Sequence, residues 1–126
     1  MKNILEEIAA RTRERIAKEK SCISVSELEN RIQEVNKNAR QKITFLQALQ
    51  KDGMSYICEV KKASPSKGLI APDFPYLAIA KEYEQAGSSA ISCLTEPFHF
   101  QGADQYLREI AAAVKIPVLR KDFTVD

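Results

Sequence analysis

Three short stretches of this sequence bring carboxylates, amines and hydroxyls together at spacings that could do chemistry. They are Glu59-Val60-Lys61-Lys62-Ala63-Ser64-Pro65-Ser66-Lys67-Gly68, Leu94-Thr95-Glu96 and Arg120-Lys121-Asp122-Phe123. Side chains alternate between the two faces of a strand, so Ile57, Glu59 and Lys61 share one face of the first stretch. Leu119, Lys121 and Phe123 share one face of the third. If both faces point into a barrel, one carboxylate and two amines converge near its upper layer. An inward lysine is costly there unless it is paired or used. Desolvation and a neighbouring ammonium lower a lysine pKa, and a nearby carboxylate raises it. The balance would suit a proton donor working near neutral pH. Spacing alone fits a salt-bridge scaffold equally well.

The remaining polar residues of these stretches read more plainly. Lys62 and Lys67 fit ordinary surface lysines. Arg120 and Asp122 fall on the opposite face of their strand from Lys121, where pairing with nearby helices would satisfy them. The Ser64-Pro65-Ser66-Lys67-Gly68 turn could hold a phosphate or carboxylate through hydroxyls and amides. It is not a Walker motif, and with 4 glycines in the chain there is no GxGxxG. Phe98, His99 and Phe100 make an apolar loop after the second stretch, suited to an aromatic substrate and equally to capping a barrel. His99 is disfavoured as a catalytic base.

Positioning these residues requires strands that end where the chemistry begins. Tyr56 to Val60, Ser89 to Thr95 and Pro117 to Phe123 are apolar, β-prone runs, with centres about 30 residues apart. Between them lie two helices. One opens at Asp73-Phe74-Pro75, continues through Leu77, Ile79, Ala80 and Tyr83, and stops at Gly87. The other starts near Ala103 and carries Leu107, Ile110, Ala111 and Val114 on one face. The order β-α-β-α-β predicts a parallel sheet covered by helices, with right-handed crossovers. Ligands of such sheets bind at the carboxyl ends of the strands, where all three stretches fall. A doubly wound sheet and a (β/α)8 barrel both fit this order.

Ahead of the strands the pattern is helical. Ile4, Leu5, Ile8, Ala9, Thr12 and Ile16 recur at helical spacing over residues 4–19. Ser26-Glu27-Leu28-Glu29 has the form of a capping box, opening a helix striped by Leu28, Ile32, Val35 and Ala39. Thr44 is expected to cap a short turn bearing Phe45, Leu46 and Leu49, which ends at Asp52-Gly53. The chain therefore divides into a helical extension, 1–52, and an α/β part, 53–126.

Composition excludes several classes. Apolar residues make up 44% and charged residues 29%, the balance of a globular domain. No apolar run approaches the ~20 residues of a membrane-spanning helix, and the N-terminus lacks the apolar stretch of a secretory signal. Neither a membrane nor nucleic acid is an expected partner, because the net charge is only +2. The positive bias is local, in Arg11, Arg13, Arg15, Lys18 and Lys20, interrupted by Glu14 and Glu19 and without aromatics between the charges. It reads as a solvated helix face with intrahelical ion pairs. Cys22, Cys58 and Cys93 form no CxxC, and His99 is the sole histidine, which argues against a Cys/His zinc site. Cys58 and Cys93 fall in apolar runs and read as small buried hydrophobes in a reducing, cytoplasmic compartment.

On the three stretches, with Phe98-His99-Phe100-Gln101-Gly102 after the second, the sequence resembles the indole-3-glycerol-phosphate synthase family of tryptophan biosynthesis. The resemblance covers essentially the whole chain. It implies a (β/α)8 TIM barrel preceded by an N-terminal helical segment, of which this chain holds the first three strands. It also implies a ring closure of 1-(2-carboxyphenylamino)-1-deoxyribulose 5-phosphate with loss of carbon dioxide and water, using no metal or organic cofactor. Carried over by motif, Lys121 resembles the general acid that protonates the substrate carbonyl. Lys61 resembles the lysine that contacts the anionic groups and assists proton transfer. Glu59 resembles the carboxylate that orients these amines and helps in dehydration. Ser64 matches a substrate-contacting serine, and Phe100, Leu119 and Phe123 resemble apolar walls of the aromatic pocket. Such a substrate, phosphorylated and aromatic, suits lysines and a Phe-lined wall. Other phosphate-binding barrels, such as phosphoribosylanthranilate isomerase or thiazole synthase, lack the Glu-x-Lys-x-x-Ser-Pro-Ser pattern of the first strand.

The 126 residues are about half of the ~250 that a closed barrel takes. The family's general base and most of its phosphate site lie on later strands. The expectation is therefore that the 126-residue chain alone is inactive. The alternative is a non-catalytic half-barrel that self-associates, or pairs with a complementary half, through open sheet edges.

Overall fold

The computed structural model describes residues 3–38 and 43–126. These fall into two compact units. The first contains the two N-terminal helices and Phe123–Asp126; the second runs from the third helix to Asp122.

In the first unit, helix α1 (Ile4–Cys22) starts at Asn3, whose side chain accepts the Leu5 N–H. Ile8 and Thr12 are its buried positions, and the Thr12 hydroxyl donates to the Ile8 carbonyl at 2.9 Å. Ile4 and Leu5 of the expected stripe are exposed. Arg11 pairs with Glu7 one turn back at 3.6 Å, as a solvated charged face would. Helix α2 (Val25–Asn38) begins slightly before its expected start. The capping hydroxyl is that of Ser24, which accepts the Glu27 N–H at 3.2 Å, and not that of Ser26. Ser24-Val25-Ser26-Glu27 has the same S-x-x-E spacing, and the chain closes on the earlier serine. Leu28, Ile32 and Val35 are exposed; Ala39 lies outside the described residues.

The second unit opens with helix α3 (Phe45–Leu49). Thr44 accepts the Gln47 N–H at 3.1 Å, and the Gln47 side chain accepts the Thr44 N–H at 2.8 Å, a reciprocal capping box. α3 packs against the sheet, so the structural grouping differs from a division at residue 52. Strand β1 (Ile57–Val60) follows, then a small antiparallel hairpin of β2 (Ala63–Ser64) and β3 (Gly68–Leu69). Helix α4 (Tyr76–Gln85), strand β4 (Ala90–Leu94), helix α5 (Asp104–Ala113) and strand β5 (Val118–Lys121) complete it. α4 ends in a Schellman turn. Gly87 takes φ +91°, its N–H bonds the Glu84 carbonyl, and the Ser88 N–H bonds that of Tyr83.

The sheet is parallel, in the order β1-β4-β5. Val60, Ile91 and Cys93 point to one face, where they pack with Ala80 of α4 and with Ile110 and Val114 at α5. Both crossover helices therefore cover the same face. The other face carries Ile57 and Glu59 of β1, Ser92 and Leu94 of β4, and Leu119 and Lys121 of β5. Register sets Glu59 beside Ser92, Ser92 beside Leu119, and Leu94 beside Lys121. Among the described residues no helix is long and apolar enough to cross a membrane.

Candidate active site

The face of the sheet opposite α4 and α5 brings Glu59, Lys61 and Lys121 together, although 62 residues separate the first from the last. Lys121 Nζ donates to Glu59 Oε2 at 2.7 Å, and Lys61 Nζ lies 3.5 Å from Oε1. The strands explain the meeting. Glu59 and Lys121 lie on strands flanking β4, two residues apart along the sheet, and both side chains stand on the same face as Ser92. The Ser92 hydroxyl donates to Glu59 Oε2 at 3.1 Å. The carboxylate thus accepts from Lys121 and Ser92 on one oxygen and faces Lys61 with the other. Tyr83 donates its hydroxyl to the Glu59 backbone carbonyl at 3.1 Å, tying α4 to this point of β1.

Burial by itself raises the Glu59 pKa. The hydrogen bond and charge of Lys121, the Ser92 hydroxyl and the charge of Lys61 outweigh it, and the carboxyl is held below its ordinary value. Lys121 remains half exposed, with 49% of its side chain open to solvent. An ammonium held against a carboxylate and still open on one side can donate a proton to a group arriving from solvent and be held in place while it does so.

The other face of β5 carries a separate network. The Asp122 side chain is enclosed, though the residue is half-buried; it accepts from the Thr95 hydroxyl at 2.7 Å and pairs with Arg120 at 3.3 Å. Arg120 also reaches Asp104 of α5 at 3.4 Å, the helix pairing expected for that face. The Thr95 N–H bonds the Lys121 carbonyl at 3.0 Å, fixing the backbone that bears the lysine.

The loops at the strand ends differ in kind. After β1 the chain folds into the β2–β3 hairpin, where the Ser64 hydroxyl accepts the Lys67 N–H at 3.2 Å and the Lys62 carbonyl receives Ile70 and Ala71. After β4 the chain wraps around Glu96, whose carboxylate accepts the amides of Phe98, His99 and Phe100. Phe100 is half-buried and Phe98 exposed. Leu119 is exposed on the face opposite α4 and α5. The half-buried Phe123 belongs to the first unit, apart from the others in the chain's division.

Sequence reasoning missed Ser92 and Tyr83 as partners of Glu59. Their identification needs the strand register and the helix rotation, neither of which has a local signature. Thr95 and Glu96 lie within a stretch already marked by its polar residues, but nothing in their spacing tells which one holds β5 and which one holds the loop. Cys93 is buried as expected, and desolvation pushes its thiol up to about 11, unreactive at neutral pH.

The chain matches the family profile described as indole-3-glycerol phosphate synthase over residues 5–126. It is 50% identical over 124 residues to the indole-3-glycerol phosphate synthase of Ruminiclostridium cellulolyticum, a match covering 98% of this chain and 46% of that protein. It is 50% identical over 123 residues to the protein of the same name from Lacticaseibacillus paracasei, covering 98% and 46%. The corresponding figures for the protein of that name from Endomicrobium trichonymphae are 52% over 123 residues, 98% and 47%. The chain spans about half the length of the curated relatives it matches.

Proposed function

The chain belongs to the indole-3-glycerol phosphate synthase family, and we propose that its sheet supplies the acid–base side of that ring closure. In this reading β1, β4 and β5 are the first three strands of a (β/α)8 barrel, and the face bearing Glu59 and Lys121 is its interior. The strand order follows the chain, and both helices cover one face, as a barrel arc requires. The exposed Ile57 and Leu119 then mark apolar surface on which further barrel strands pack.

The observation that carries the reading is the Glu59 carboxylate held between two lysines from strands on either side of β4. As the substrate's ring carbon attacks the ketone carbon, the carbonyl π electrons move onto oxygen, and Lys121 gives that oxygen a proton. The bond to the carboxyl carbon then breaks, its electrons restore the aromatic ring, and carbon dioxide leaves. The new hydroxyl departs as water with a proton returned through the lysines, while a proton is lost from the adjacent carbon to form the indole double bond. Glu59 holds both amines in place, Lys61 contacts the anionic groups, and the proximity of ring carbon to carbonyl supplies a further large share of the rate. Ser64 contacts substrate; Phe100 and Leu119 wall the aromatic ring, and the resemblance alone assigns Phe123 to the same wall.

Lys121→Ala tests this in the protein that carries these residues. Product formation is expected to fall by about 10²–10⁴-fold, the range for a lost general acid, with substrate still bound. Turnover within a few fold of the parent would overturn the assignment. The 126 residues alone are expected to be inactive, because a lysine half open to water lacks the dry, preorganised surroundings that give such an acid its effect. A second reading, a half-barrel that pairs with another copy or a complementary half, draws on the same exposed Ile57 and Leu119. It predicts association of the 126-residue chain in size-exclusion chromatography, where a monomer would count against it.

A further inference from the structure

Glu96 is an almost completely enclosed charged side chain, with 1% of its surface open. Its Oε1 accepts the Phe98 N–H at 3.0 Å, and its Oε2 accepts those of His99 at 2.7 Å and Phe100 at 2.9 Å. Its own carbonyl accepts the Gly102 N–H at 2.8 Å, closing residues 96–102 into a ring around the carboxylate. His99 Nδ1 lies 3.8 Å from Oε1. Gln101 adopts φ 51°, a left-handed conformation that a side chain takes up only when the surroundings enforce it. The loop leaves from β4, the middle strand, between the strands that bear Glu59 and Lys121.

We infer that Glu96 is the positioning residue that sets affinity for the substrate's aromatic ring, by holding the backbone of Phe98–Phe100 at the mouth of the site. This rests on the synthase reading, in which Phe100 walls the ring. Three peptide N–H groups converge on one buried group, so only a group accepting on both oxygens satisfies them, and a carboxylate does so with charge-assisted bonds. Glutamine has nearly the same shape but turns an NH2 toward donors. Glu96→Gln therefore displaces the loop without altering Lys121 or Glu59.

The test is kinetic and comparative. In Glu96→Gln, KM for the arylamino substrate and the inhibition constant of 2-aminobenzoate are both expected to rise about tenfold or more, the scale on which an apolar pocket wall discriminates. The kcat and the inhibition constant of ribulose 5-phosphate, which has no ring, are expected to stay within a few fold. Glu96→Asp, which keeps two acceptor oxygens, should recover part of the lost ring affinity. Equal weakening of both inhibitors, or a fall in kcat at unchanged KM, would overturn the inference, since a merely structural or a catalytic role gives those patterns. If Glu96→Gln does not fold, amide exchange in the unaltered protein decides. The Phe98, His99 and Phe100 amides should be protected and should shift on adding 2-aminobenzoate; rapid exchange or no shift sinks the idea. Should Lys121→Ala leave turnover intact while these amides respond as stated, the assignment of Lys121 as the acid fails and the ring-site inference stands; no product formation by the parent protein would instead sink the synthase reading.

Discussion

Glu59 is desolvated by its position on the sheet, and that alone would favour the protonated form. Lys121 at 2.7 Å, Ser92 at 3.1 Å and Lys61 at 3.5 Å reverse the balance and lower its pKa. The consequence for stability follows from linkage. A carboxylate near 4.5 when unfolded and lower when folded contributes stability that is fully present above 4.5 and is lost as pH falls through the native value. Urea unfolding of the parent and of Glu59→Gln should therefore show a stability difference that shrinks between pH 7 and pH 3 in favour of the variant. A difference that stays constant over that range would contradict the pairing. At this scale the sequence was informative about Glu59, Lys61 and Lys121, because alternation along a strand puts i and i+2 on one face wherever the strand lies. It was silent on Ser92, whose role exists only once β1 and β4 are in register.

Elements were legible where their signals are local. The Thr44 cap and the Gly87 stop each depend on residues within one turn, and both appear in the structure. The α2 cap moved to Ser24 because two overlapping S-x-x-E spacings compete and sequence does not rank them. The β2–β3 hairpin escaped notice because each strand has two residues, too short for any alternation to register. Gly102 shows how tightly the loop after β4 is packed on its strand. A Cβ there would lie 2.4 Å from the Leu94 carbonyl oxygen and 2.7 Å from its carbon, backbone atoms that cannot swing aside. Gly102→Ala is expected to destabilise the protein by about 1–3 kcal/mol, the usual cost of forcing extra volume into a packed site. Denaturant midpoints measure it, and an unchanged midpoint would mean that the loop yields freely.

For the chain as a whole, β-α-β-α-β periodicity does not separate a doubly wound sheet from a barrel, since both bury strands behind helices at the same spacing. Three strands in chain order with right-handed crossovers put both helices on one face in either fold, and here α4 and α5 cover the same one. That leaves the opposite face to carry Ile57, Glu59, Leu119 and Lys121, two apolar residues and two charged ones from strands on either side of β4. The charged pair is the centre of the proposed chemistry, and residues that work as one unit have strongly non-additive losses. The decisive measurement is kcat for Glu59→Gln, Lys121→Ala and the double variant in the protein that carries these residues. If the pair acts as one device, the double variant should be no slower than Lys121→Ala alone, within a few fold. Losses that multiply, or a Lys121→Ala rate equal to the parent's, would show that the pair does not act as a catalytic unit.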